Sequence, residues 1–276
     1  MVPSFSKEIR WLLEEKYQGK KTPAFLRDLK RLKKGEHIDY LIEWKSFLNC
    51  KIDLRYRPLI PRVETEYWAE QAIADVEVKP LHRSTLSRLN LNQKVKCLDI
   101  FAGSGCIGIA VLKSIPSAHV DFAEKEQKLC KQIVLNAKLN KIGKSRYRVI
   151  HSDVFSKIKG KYDYIFANPP YIAESRRNKV QVSVLQHEPQ EALFAGKDGL
   201  DVIRLFLGQV FDSETQTRGA KDFLNTDGVI YLEFDSFQKR EIEKLLKKFG
   251  YLGWQFHKDQ YGKWRFVKIL GHNILG

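Results

Sequence analysis

Cysteine is scarce and scattered. Cys50, Cys97, Cys106 and Cys130 form no Cys-x-x-Cys pair and have no histidine-rich company. That spacing argues against a zinc site, and against a disulfide framework too; no metal is expected. Cys97 and Cys106 stand in apolar stretches and read as small buried hydrophobes. Long apolar runs are missing as well, since nothing approaches the ~20 residues of a membrane span. The first 20 residues hold no continuous apolar stretch of the secretory kind, and Glu8, Glu14 and Glu15 argue against an acid-poor transit peptide. The expectation is a cytoplasmic protein with no membrane attachment. Internal repeats and low-complexity segments are absent too.

What is present suits a globular protein. Of 276 residues, 43% are hydrophobic and 29% charged, enough for a real core in one large domain or in a catalytic domain with a small appendage. Lys and Arg outnumber Asp and Glu by 48 to 33, a formal net charge of +15, with much of the excess at residues 20–34 and 239–248. Such a balance favours polyanionic surroundings, for example RNA or a partner bound to RNA. A solvated basic surface explains any single cluster equally well.

Phe5, Ile9, Leu12 and Leu13 recur at helical spacing, which predicts an amphipathic helix. After a break at 19–23, a second helical stretch carries Phe25, Leu29 and Leu32 on one side and ends at Gly35. Residues 1–40 therefore read as a small helical region, too short to hold a large core alone. Residues 41–63, with aromatic and aliphatic side chains on both sides of Asn49, read as a hairpin or connector. Residues 64–276 read as the main domain. Glu64-Thr65-Glu66 opens a helix running towards Val76, with acidic residues at the positive end of its dipole. From Lys94 onwards strands are expected at 95–100, 119–123, 146–151, 162–167 and 229–234, with helices at 105–112, 126–140 and 201–210 between them. A helix bearing Ile242, Leu245, Leu246 and Phe249, then strands at 254–257 and 264–270, finish the chain. Strand alternating with helix means an α/β fold with a parallel sheet covered on both faces and an antiparallel strand at its end.

The first strand of that series runs into Phe101-Ala102-Gly103-Ser104-Gly105 and then a helix. Gly103 and Gly105 let the backbone approach a ligand closely at the carboxyl end of the strand. Glu124 ends the second strand, where a carboxylate can accept hydrogen bonds from both ribose hydroxyls. Asp153 and Val154 follow the third, where a carboxylate can take an adenine amino group and apolar neighbours can flank the ring. Phe101 occupies a place where a further glycine is usual, and a dinucleotide would need phosphate-binding features. The ligand implied is an adenosine without phosphates, and S-adenosyl-L-methionine fits, with S-adenosyl-L-homocysteine as product.

The fourth strand ends in Asn168-Pro169-Pro170-Tyr171. Two consecutive prolines fix φ and remove two backbone donors, and Asn168 before them is pushed out of helical geometry. An asparagine side-chain oxygen and a free carbonyl can together accept both hydrogens of a planar NH2 group. The segment is thus a receptor for an amide or an exocyclic amine, unless it is only a stiff Pro-rich loop.

Taken in order, several segments carry a resemblance. They are Ile60-Pro-Arg-Val-Glu-Thr-Glu66, Asp99 to Ile107, Asn136-Ala137, Asn168 to Ile172, His187-Glu-Pro189 with Ala192-Leu193, and Asp198-Gly-Leu-Asp201. Asp259, Gly262 and Arg265 complete them. Over roughly Gly35 to the C-terminus the sequence resembles the protein-(glutamine-N5) methyltransferases that modify peptide chain release factors. The resemblance implies a Rossmann-like class I S-adenosylmethionine-dependent methyltransferase with a mostly parallel seven-stranded sheet whose last strand is antiparallel. By the same resemblance residues 1–40 serve substrate recognition. The resemblance also implies that Asn168 and the carbonyl of Pro169 hold a glutamine side-chain amide of a release factor's Gly-Gly-Gln loop, with Tyr171 packing against it. The chain departs from the family in Phe101 for the first loop glycine, in Val63 for a usual proline and in Glu124 for the commoner aspartate. Its N-terminal helical region is also shorter. A monomer is expected. Three other readings remain: an adenine-N6 methyltransferase of nucleic acid, a ribosomal-protein glutamine methyltransferase, and a non-catalytic RNA- or ribosome-binding module on the same fold.

Overall fold

The computed structural model describes residues 3–78, 94–210 and 223–271, with no side-chain description for residues 3–5, 78 and 226. The parts of the expected main domain at 79–93, 211–222 and 272–276 lie outside it.

Period-two burial organises the sheet. Leu98, Ile165, Ile230 and Leu232 pack into one apolar cluster, while Cys97, Tyr164, Phe166, Val229 and Tyr231 pack into another on the opposite face. A strand with both faces buried needs apolar residues at consecutive positions, and these runs supply them. The sheet has seven strands: β3 (Val95–Ile100), β4 (Ala118–Glu124), β5 (Tyr147–His151), β6 (Tyr162–Ala167), β7 (Leu224–Glu233), β8 (Trp254–Lys258) and β9 (Trp264–Leu270). Their order is β5-β4-β3-β6-β7-β9-β8. β3 to β7 are parallel, and β9 runs antiparallel to both β7 and β8. This is the class I S-adenosylmethionine-dependent methyltransferase fold, with the antiparallel final strand expected.

From β3 the chain steps outward through β4 and β5, then returns to lay β6 and β7 on the other side of β3. The crevice beyond the carboxyl ends of β3 and β6 is therefore the topological switch point, where open α/β sheets take their ligands.

Helices α4 (Val63–Val78) and α5 (Cys106–Ser114) contribute Trp68, Ala72 and Ile109 to one face of the sheet, and Ile133 of α6 (Gln127–Leu139) joins them. Helices α8 (Asp201–Val210) and α9 (Lys239–Lys248) cover the other face with Ile203, Phe206, Ile242 and Leu246. A six-residue helix, α7 (Val182–His187), lies in the segment between β6 and α8.

Ahead of the sheet stand α1 (Pro3–Trp11), a π-helical turn at Leu12–Lys16, α2 (Pro23–Lys33), α3 (Ile38–Ile42) and a hairpin of β1 (Trp44–Phe47) and β2 (Cys50–Asp53). Thr22 caps α2, its hydroxyl accepting from Phe25 N. Leu12, Phe25, Leu32, Ile38, Leu41 and Ile42 form a separate small cluster. The boundary expected at residue 40 falls inside α3. Tyr40 packs into the cluster on the sheet face while its neighbours Ile38 and Leu41 turn to the N-terminal helices, so one helix serves both. Likewise α4 begins at Val63, one residue before the expected start.

The hairpin is fastened by amides rather than by a third strand. Gln132, Asn136 and Asn140 recur every four residues along one side of α6. Asn136 accepts from Asp53 N (2.8 Å) and donates to Asp53 O and Ser104 O, while Asn140 exchanges the same pair of bonds with Lys51. Gln132 accepts from Tyr56 N. An edge strand that would otherwise expose unpaired backbone groups is satisfied this way, and Asn136 ties it to the loop after β3.

Candidate active site

The register brings the predicted residues together. Ile150, Ala123, Ile100, Ala167 and Leu232 are in-line partners across five parallel strands. The next residue on each of the four inner strands is therefore Glu124, Phe101, Asn168 and Glu233. At a strand spacing of about 4.8 Å, Phe101 and Asn168 are direct neighbours at the switch point. Three of these residues were expected from the sequence; Glu233 was not.

On the cofactor side the backbone shapes the site. Phe101 has φ of +61° and Gly103 of +55°. Phe101 thus keeps the left-handed conformation of the glycine usual there, and its ring packs edge-on to Phe206 at 6.0 Å. Ala102, Ser104 and Gly105 are buried in the turn, and a β-carbon on Gly105 would press on Ile133 at 3.2 Å. Glu124, nearly buried, accepts from Gly103 N and from Glu126 N, each at 2.7 Å. Burial pushes its carboxyl upward, and these amides oppose the shift. An ionised carboxylate has about four lone-pair sites, so two remain for hydroxyls. Asp153 is exposed and lies 3.4 Å from Lys125, and Val154 is buried with φ of +44°. Positive φ in a β-branched residue is uncommon and clusters at ligand sites. Behind it Phe155 stacks on Phe223 at 4.4 Å and on Phe206 at 5.6 Å. A buried carboxylate with free lone pairs, a glycine turn open above it and an apolar wall fit an adenosine.

Asp99 lies just inside this turn and is 1% exposed. It accepts from Gly108 N at 2.9 Å, satisfying one free donor in the first turn of α5. Burial pushes its carboxyl up to about 8.

On the acceptor side the site is made of side chains from distant segments. Asn168 is half-buried and donates Nδ2 to Thr65 Oγ1 at 3.2 Å. Thr65 donates in turn to Glu233 Oε2 at 2.7 Å, and Trp68 Nε1 donates to the same oxygen at 2.6 Å. Tyr171 donates its hydroxyl to Glu233 Oε1 at 2.9 Å. Burial pushes Glu233 upward while these donors and the charge of Arg265 oppose it, and burial beside Glu233 pushes the Tyr171 phenol far up. Pro169 is buried and Pro170 half-buried. Behind the tetrapeptide Gln238 Nε2 donates to Tyr171 O at 2.8 Å. Gly199 packs so close that a β-carbon would lie 2.2 Å from Tyr171 O, and its φ is +77°.

The remaining segments of the resemblance brace this end. Glu188, with a side chain 0% exposed, receives Arg62 at 2.6 Å and Ile60 N at 3.2 Å. The Ile-Pro-Arg stretch is thereby clasped to the His-Glu-Pro stretch. Glu66 accepts from Leu48 N in the hairpin turn. Arg265 pairs with Asp259, which also takes the amides of Tyr261 and Lys263. Thr65, Trp68 and Glu233 had no role assigned from sequence. Glu233 could have been noticed only as a charged residue closing an apolar strand.

A family model described as the methyltransferase small domain matches residues 82–207. The chain is 29% identical over 271 residues to a bifunctional methyltransferase of Rickettsia prowazekii, of which it spans 50%, with 95% of this chain covered. Among solved structures, the N-terminal domain of human METTL16 in complex with SAH superposes with a TM-score of 0.52 at 15% identity, covering 82% of this chain and 76% of that one. That likeness concerns the fold. With the release factor glutamine methyltransferase of Lactococcus lactis the chain shares 30% identity over 266 residues, 95% of this chain and 88% of that one. On that similarity the chain belongs to the family of release factor glutamine methyltransferases.

Proposed function

We propose that this chain transfers a methyl group from S-adenosyl-L-methionine to the side-chain nitrogen of a glutamine in the Gly-Gly-Gln loop of a peptide chain release factor. The observation that carries the reading is Asn168, held at the switch point with its NH2 spent on Thr65 and its Oδ1 left to accept. Gly103, Gly105, Glu124, Asp153 and Val154 would hold the cofactor, with Phe101, Ala102 and Ser104 shaping its turn. The cofactor, when bound, supplies an electrophilic methyl group.

The protein's part is to bind and orient the acceptor. An amide nitrogen is a poor nucleophile because its lone pair is delocalised, so alignment has to supply much of the rate. Asn168 Oδ1 and the Pro169 carbonyl accept the two N–H bonds of the glutamine. Acceptors on both bonds favour positive charge developing on nitrogen. Tyr171, fixed at both its hydroxyl and its carbonyl, walls the pocket. No strong general base is required, because the nitrogen that takes the methyl group becomes cationic and strongly acidic and gives up one of its two hydrogens to solvent as a proton, leaving the neutral N-methyl amide.

The helical region at 1–40 is read as contacting substrate, the hairpin at 41–63 as its connector and 64–276 as the catalytic domain. The basic residues of α2 and α9 suit work near RNA or the ribosome, by a cytoplasmic monomer. Among the described residues no helix is long and apolar enough to cross a membrane. The test is incubation with labelled cofactor, purified release factors, ribosomal proteins and nucleic acid. Label on the Gly-Gly-Gln glutamine is the expected result; label on adenine N6 or on a ribosomal protein would overturn it.

A further inference from the structure

A carboxylate 0% exposed at the end of a central strand carries a large desolvation cost. We infer that Glu233 is a positioning residue: with Trp68 it sets the direction of a hydrogen-bond chain through Thr65 that decides which way the Asn168 amide faces. This rests on the glutamine reading of the acceptor pocket and adds to it the device that holds the pocket in its receptive state.

The direction follows from the chemistry of the donors. An indole N–H can only donate, and Trp68 Nε1 lies 2.6 Å from Glu233 Oε2. Glu233 is taken as the ionised carboxylate, the state that donors on both its oxygens and the charge of Arg265 favour, so Oε2 has no proton to give. The Thr65 hydroxyl, 2.7 Å from the same oxygen, must be the donor there. Its single proton is then committed, and only lone pairs remain on Oγ1. Asn168 approaches those lone pairs at 3.2 Å, so the group facing them is the NH2. The amide oxygen of Asn168 lies on the opposite side and is left to accept.

An asparagine free to flip would present NH2 to the NH2 of its substrate for part of the time, donor against donor. Thr65, Trp68 and Glu233 are each 2% exposed or less, so water does not compete for these bonds. Tyr171 on Oε1 at 2.9 Å joins the two walls of the pocket through one carboxylate.

Thr65→Val keeps the shape and removes the hydroxyl. It is expected to lower kcat by about 100-fold, the size of effect that misplacing a reacting group by about 1 Å produces, with the dissociation constant for S-adenosylmethionine within twofold of wild type. Thr65→Ser should restore most of the lost turnover. Glu233→Gln can keep an oxygen towards Trp68 and Thr65 and should retain more turnover than Glu233→Met, and Glu233→Met combined with Thr65→Val should be no slower than the slower single variant. A readout without substrate is the Asn168 side-chain NH2 in nitrogen-15 NMR, whose hydrogen-exchange protection should vanish in Thr65→Val. Turnover in Thr65→Val within twofold of wild type, or unchanged NH2 protection, overturns the inference. So does a parallel loss of cofactor binding, which would mean a general collapse of the site. Failure of the wild-type chain to label release factor overturns the glutamine reading instead, and leaves the NMR result to decide the orientation of Asn168.

Discussion

On the cofactor side of the crevice, shape is held by backbone. Phe101, Gly103 and Val154 sit at positive φ, and the Glu124 carboxylate takes its hydrogen bonds from amides two and twenty-one residues away. On the acceptor side, shape is held by side chains meeting from far apart: Thr65 and Trp68 on α4, Asn168 and Tyr171 after β6, Glu233 at the end of β7. A turn of left-handed residues is a local object and tolerates substitution, as Phe101 in a glycine's place illustrates. A buried chain of directed hydrogen bonds has one polarity and tolerates little, because each unpaired member costs its full desolvation.

The largest break in that comparison is Asn168→Ala. Removing one preorganised polar partner of the reacting group should cost about 100- to 1,000-fold in kcat and leave cofactor affinity nearly untouched, read by steady-state kinetics alongside calorimetric titration. Equal losses in both would mean that the two sides are not separable. Arg62→Ala strips the partner from Glu188, a carboxylate with no exposed surface. Leaving that charge unpaired should lower unfolding free energy by about 3 kcal/mol, measured by urea denaturation. A much smaller loss would show that the acceptor-side brace is dispensable.

Asp99 sharpens the cofactor side through pH. Burial raises its carboxyl from an ordinary value of 3.8 to about 8, so between those values the folded chain holds a proton that the unfolded chain has released. Its stabilising contribution is complete below about 4 and is lost as pH rises towards 8. The slope approaches about 1.4 kcal/mol per pH unit. Asp99→Asn should remove that slope, so the gap in unfolding free energy between variant and wild type should change steadily from pH 5 to 7. Parallel curves would refute the buried proton. The smallest effect is expected for Phe101→Gly. Relief of left-handed strain, about 1 kcal/mol, offsets the greater chain entropy of glycine and the lost packing on Phe206, so net stability should move by less than about 1 kcal/mol. A larger loss would make the ring, not the backbone, the feature that holds the turn.

Much of the fold was legible because its signals are periodic. Strands β3 to β6 and helix α8 fall within a residue or two of expectation, since runs buried on both faces and apolar repeats at helical spacing are written in adjacent residues. α3 was not legible. Five residues joining two clusters carry no period long enough to read, and the expected boundary cut through it. In the candidate site, Phe101 to Gly105, Glu124, Asp153 and Asn168 could be singled out because each stands at or just beyond the end of a strand. Asn136 was noticed only as part of a resemblance; its work in fastening the hairpin to Ser104 O requires knowing that β2 lies along α6.

By itself the sequence determined the alternation of strand and helix, the glycine-containing turn after β3 and the stiff Asn168-Pro169-Pro170-Tyr171 segment. These depend on φ preferences, missing donors and burial period, all properties of residues close in the chain. Only the tertiary structure decided which way Asn168 faces. That choice is made where α4 crosses the ends of β6 and β7 and brings Thr65 to a carboxylate 168 residues away. A hydroxyl has one proton to give, and no local pattern says where it goes.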